Sequence, residues 1–124
     1  MKTETNYVTL ELINGIIVGK YNEVFVTLEI AKEVLNTRNS YTAEKSYPMV
    51  VDCSLLKGVD QEARDFFSQK EGSLGLTASA LVVKSRFNAF FVNFLIKVNL
   101  HKTNLPVKMF YDLDDAINWL EQYK

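Results

Sequence analysis

Two runs in this 124-residue chain, Met49-Val50-Val51 and Ala80-Leu81-Val82-Val83, are apolar at consecutive positions rather than alternate ones. A strand with one solvated face alternates apolar and polar residues. A strand covered on both faces has no such requirement and reads as a continuous apolar run. Both runs are flanked by segments of helical periodicity. Buried strands alternating with helices pair in parallel through right-handed crossovers, with the helices packed over the sheet faces. This constraint alone places the chain in the α/β class.

The first strands differ in kind. Asn14-Gly15 lies between YVTLELI and IIVGKY, and a type I′ hairpin turn needs positive φ at both central positions. A two-residue loop pairs Ile13 with Ile16, Leu12 with Ile17, Leu10 with Gly19 and Val8 with Tyr21. One face then carries Val8, Leu10, Leu12, Ile17 and Tyr21, and the other is mixed, as in a half-covered antiparallel pair. Thr27 is placed to cap a first helix through Leu28, Ile30, Ala31, Val34 and Leu35, ending near Arg38, with residues 39–47 as polar loop. The strand Met49 to Cys53 follows Pro48. A second helix starts at Asp60 and carries Ala63, Phe66, Phe67 and Lys70 on one side. Leu76 to Lys84 is the next strand, and Ser85 caps a long helix to about Leu100. Leu105 to Tyr111 is the last strand, before a closing helix from Asp112 or Asp114 with Leu113, Ala116, Ile117 and Leu120 inward. The expected object is one domain over residues 1–124: a mixed sheet of about five strands, an N-terminal antiparallel hairpin, then alternating helix-strand units.

Composition removes several functions. The chain is 48% hydrophobic and 23% charged, with a net charge of -1, so it has no basic excess for nucleic acid. The polar start MKTETNYVTL holds no apolar signal-peptide core. The most apolar run, Phe87 to Leu100, is broken by Asn88, Asn93, Lys97 and Asn99, so it predicts no membrane span. Cys53 is the single cysteine, which forbids an internal disulfide and fits a reducing, cytoplasmic setting.

The order of elements resembles STAS domains, the fold of anti-sigma-factor antagonists. In that pattern an apolar strand leads to Asp-x-Ser and, a few residues on, to Asp-Ser-x-Gly at a helix start. Here Met49-Val50-Val51 leads to Asp52-Cys53-Ser54, then to Asp60. The tail PVKMFYDLDDAINWL adds an acidic helix cap, an Ala and a Trp-Leu. The whole chain is similar to small bacterial proteins described as STAS-like or SpoIIAA-like, a group linked to Sec14-type lipid-binding domains. The resemblance implies the SpoIIAA-like fold. It does not carry over the phosphoswitch: Asp60 is followed by Gln61, Glu62 and Ala63, which offer no hydroxyl to phosphorylate. Glu62 is an ordinary first-turn acid at the positive end of a helix.

No catalytic set is expected, and the chain reads as a non-enzyme. Cys53 needs a base, and the only histidine, His101, belongs to another helix. Asp52 and Ser54 stand beyond the carboxyl end of a strand, where open α/β sheets bind ligands, and also where Asp and Ser cap loop amides. Ser85 and Arg86 open a helix after a strand and make the best candidate for a small anion. Glu71-Gly72-Ser73-Leu74-Gly75 precedes a strand, so it is a turn rather than a phosphate loop. Asp112, Asp114 and Asp115 suit a helix cap, and neither metal nor cofactor is expected.

The long helix carries two apolar stripes. Phe87, Phe90, Phe91, Phe94, Leu95 and Val98 share one face, and Ala89, Val92, Ile96 and Leu100 share the opposite one. A helix covering a sheet needs one stripe, so the second suggests another surface: a neighbouring helix such as the closing one, an apolar ligand or, favoured here, a protein partner or a homodimer. The expected function is a protein-interaction or regulatory module. The alternative is a small-molecule or lipid-binding domain of Sec14-like type, holding an apolar or anionic ligand.

Overall fold

The computed structural model describes residues 2–86 and 105–124. Its strands are β1 (Lys2–Glu4), β2 (Val8–Ile13), β3 (Ile16–Tyr21), β4 (Phe25–Val26), β5 (Tyr47–Asp52), β6 (Gly58–Val59), β7 (Leu76–Val82) and β8 (Val107–Phe110). Its helices are α1 (Leu28–Thr42), α2 (Gln61–Ser68), the single turn α3 (Lys70–Ser73) and α4 (Leu113–Leu120), which runs into a 3-10 turn at Glu121–Tyr123.

Six strands form one mixed sheet in the order β1-β2-β3-β5-β7-β8. β1, β2 and β3 are antiparallel, while β3, β5, β7 and β8 run parallel. The hairpin has the register that its turn dictates, from Ile13 opposite Ile16 to Val8 opposite Tyr21. Asn14 and Gly15 both have positive φ, 50° and 78°, as a type I′ turn requires. β4 and β6 pair with each other in a separate two-residue ladder. The polar segment Lys2–Glu4 supplies a sixth strand, which composition alone does not announce because its side chains are mostly exposed.

The sheet has two covered faces. On one, Ile16, Val50, Ala78, Ala80 and Val82 pack against Ala116 and Leu120 of α4. Three alanines at this contact let helix and sheet approach closely, and Trp119 stacks at a tilt on Phe110, 5.7 Å between centroids. Asp112 caps α4 by accepting the Asp114 amide at 2.7 Å. Leu113, expected inward, is 42% exposed in the first turn of α4, close in sequence to the exposed Tyr111.

The other face carries Val8, Leu10, Ile17, Met49 and Val51, and it meets α1 and α2. Thr27 accepts the Ile30 amide at 3.4 Å, and Asp60 accepts the Ala63 amide at 2.8 Å, so each helix starts at its expected cap. α1 extends to Thr42, four residues past the expected end at Arg38. Hydrogen bonds of Tyr41, Thr37 and Ser40 accompany that extra turn. The Tyr41 hydroxyl donates to the Leu10 carbonyl at 3.0 Å and accepts from Thr3 at 2.8 Å. The hydroxyls of Thr37 and Ser40 bond back to carbonyls within the helix, at 3.0 and 2.7 Å. Polar residues that suggest a loop are thereby satisfied inside a helix.

Candidate functional site

The parallel register puts Tyr21, Val51, Ser79, Leu81 and Val107 on the same sheet face, from four adjacent strands. Over them lie Val34, Leu35 and Arg38 of α1 and Phe67 and Ser68 of α2. These elements do not close completely. They border a partly open cavity of about 140 Å³ with a mainly apolar lining. Beside it, Gly19 lets two residues of the wall pack closely: a Cβ there would stand 2.8 Å from Leu10 and 3.5 Å from Val51.

One charged side chain of the wall is buried. α1 buries Ala31, Val34, Leu35, Arg38 and Tyr41, a single stripe at three- and four-residue spacing with a guanidinium in the middle. Arg38 is only 6% exposed. It donates to the carbonyls of Gly72 at 2.9 Å and of Glu71 and Leu74 at 3.3 Å each. Two of these carbonyls belong to α3 and the third follows it, where the last carbonyls of a helix lack intrahelical donors. Its Nε has no hydrogen-bond partner. Among the described residues the ion pairs are Lys2–Glu4, Lys57–Glu23 and Lys124–Glu121, so no carboxylate neutralises Arg38. Burial lowers the guanidinium from 12.5 to about 10, opposed by Tyr21, and it stays cationic at neutral pH.

Two further polar groups face the same space. Tyr21 is half-buried on the wall, and desolvation raises its hydroxyl above the ordinary phenol value; Cys53 adds to the rise and the Arg38 charge works against it. No hydrogen bond reaches this hydroxyl from the described residues. Cys53 is 3% exposed, and burial, followed by the nearby Asp52 charge, pushes its thiol up to about 12. That is the reverse of what a nucleophile needs, because the thiolate is the reactive form.

The sequence candidates lie beside this cavity rather than in it. Asp52 ends β5 and accepts the Ser54 amide at 2.8 Å, which makes it a loop cap. The Cys53 amide donates to the Val82 carbonyl at 2.8 Å, so the segments after β5 and β7 meet at one carboxyl edge. Ser85 and Arg86 are at that edge and exposed. The structure thus brings Asp52 and Ser54 to the same sheet edge as Ser85 and Arg86, and none of the four lines the cavity. Gln61 and Glu62 follow the Asp60 cap on the exposed side of α2. Ala89, Val92, Ile96 and Leu100, the Phe-rich stripe and His101 lie outside the described residues. No group of three or more metal-ligating side chains occurs among the described residues, and no helix among them is long and apolar enough to cross a membrane. Arg38 and Tyr21 escape sequence reasoning, although a charge at the centre of an apolar stripe was the available signal for Arg38.

Comparison with known proteins supports the same architecture. Among solved structures, the chain is similar to a crystal structure of an uncharacterized protein from the DUF3478 family with a SpoIIAA-like fold, from Shewanella loihica PV-4. The match has 16% identity and a TM-score of 0.70, and covers 97% of this chain and 98% of that one. A protein of unknown function from Arthrobacter sp. FB24 aligns at 23% identity over 90% of this chain and 97% of that one, with a TM-score of 0.34. No curated protein matches. Residues 10–124 match the family model of a domain of unknown function, DUF7793. The chain therefore belongs to the DUF7793 family, and its fold is SpoIIAA-like.

Proposed function

We propose that this domain is a non-enzymatic binding module for a small, largely apolar molecule, held between the sheet and helices α1 and α2. The observation that carries the reading is the cavity of about 140 Å³ with its apolar wall. An engineered apolar cavity of about 150 Å³ accepts a ligand the size of benzene. The space therefore suits about six to eight heavy atoms rather than a full lipid chain. The thiol chemistry of Cys53 argues against a nucleophile at this place. The second stripe of the long helix, which suggests an interaction module, lies outside the described residues.

Ser79→Leu tests the proposal. Ser79 is 7% exposed and on the cavity wall, and leucine there would occupy the space. The original chain should show saturable thermal stabilisation by benzene or hexanol, and Ser79→Leu should lose it while staying folded by circular dichroism. Equal stabilisation of both proteins would refute binding at this place.

A further inference from the structure

The apolar wall explains affinity for a hydrocarbon body, and it leaves the polar groups of the cavity unexplained. A buried guanidinium is usually matched by a carboxylate, because an uncompensated charge in a low-dielectric interior is costly. Arg38 is matched only by the carbonyl dipoles of Glu71, Gly72 and Leu74. Three of its five N–H groups are used in this way, and Nε is without an acceptor. The Tyr21 hydroxyl is on the same wall and is coupled electrostatically to Arg38 without touching it. Arg38 and Tyr21 thus border one cavity, together with Arg64, Ser68 and Ser79, and no carboxylate is among its lining residues.

We propose that the occupant is a small monocarboxylate, with its carboxylate between the Arg38 guanidinium and the Tyr21 hydroxyl and its hydrocarbon body against Val51 and Leu81. This rests on the binding function proposed above and specifies its ligand class. A single negative charge is the matching choice, since Arg38 is the buried cation of the wall and Arg64, also on the wall, is partly exposed to water, so part of a phosphate dianion would be left unpaired. The charge-assisted hydrogen bonds to Arg38 and Tyr21 select the anion over an alcohol of equal length. Six carbons correspond to the volume available.

Hexanoate, hexanol and hexylammonium are the probes, titrated into the full chain and followed by amide chemical shifts and by calorimetry. Hexanoate should bind with one-to-one stoichiometry, about tenfold or more tighter than hexanol, and should shift the amides of Tyr21, Arg38 and Val51. Hexylammonium should not bind, because it would place a second cation beside Arg38. Tyr21→Phe removes only the hydroxyl and should weaken hexanoate about fivefold to tenfold while leaving hexanol unchanged. Arg38→Met should abolish the preference for hexanoate. If that variant does not fold, the Tyr21→Phe and alcohol arms decide the matter. Hexanol binding as tightly as hexanoate would overturn the anion site and leave the apolar cavity standing. No saturable binding of either would overturn both.

Discussion

Native Cys53 should react with an aromatic disulfide reagent at least a thousandfold more slowly than the same thiol in the unfolded chain. The magnitude follows from its surroundings. Burial and the neighbouring Asp52 charge move the thiol from 9.0 to about 12. At about pH 8 the unfolded thiol is roughly one-tenth thiolate, and the folded one roughly one ten-thousandth. The residue is also only 3% exposed, so the reagent gains access chiefly through local opening. The assay is absorbance of the released aromatic thiolate, in buffer and in guanidinium. A native rate within tenfold of the unfolded rate would refute the placement of Cys53 and reopen nucleophilic chemistry. The same displacement has a stability signature. The folded value lies above the unfolded one, so the contribution is complete below about pH 9 and is lost as pH rises towards 12. By pH 10 the loss is on the order of 1 kcal/mol. Tyr21, also raised, acts in the same direction at higher pH. Arg38 opposes both: its folded value lies below the unfolded one, so its cost lifts between about 10 and 12.5. By about pH 10 the contributions of Tyr21 and Arg38 have only begun and are opposite in sign, so the change in urea midpoint between about pH 8 and 10 reports chiefly the cysteine.

Leu120→Ala should destabilise the domain by about 3 kcal/mol in urea denaturation, because Leu120 is fully buried in the contact of α4 with the sheet. Gly75→Ala should cost about 2 kcal/mol or more, since Gly75 has φ +81° and a Cβ there would stand 2.5 Å from the Thr42 Cβ. Gly15→Ala has a similar φ of +78° with its nearest atom at 3.9 Å, and should cost only about 1 kcal/mol, so the difference measures the clash. Asp60→Ala should cost about 1 kcal/mol by removing the cap on the Ala63 amide, and Asp60→Asn should restore most of it.

The legible parts of the sequence were those governed by local chemistry. Asn14-Gly15 dictates its turn, and the turn dictates every pair from Ile13–Ile16 to Val8–Tyr21. Thr27 and Asp60 are caps because of hydrogen bonds within three residues. The continuous apolar strands fixed the parallel sheet. The illegible parts depended on distant partners. Nothing near Tyr41 states that its hydroxyl will reach Leu10, 31 positions away, and extend α1. Arg38 looked like a solvated end of a helix because its acceptors lie 33 to 36 residues further on. The site was misplaced for a related reason: Asp52, Ser54, Ser85 and Arg86 are polar residues at strand ends, where polarity is conspicuous. The cavity is built from apolar side chains that any core would contain.

The grip of Arg38 on the turn between α3 and β7 also sets how this part of the molecule comes apart. Freeing the turn would strand three carbonyls and a cation at once, and freeing α1 would do the same. The middle of α1 and residues 71–75 therefore open as one cooperative unit, and their amides should exchange with solvent at a shared free energy despite their separation in sequence.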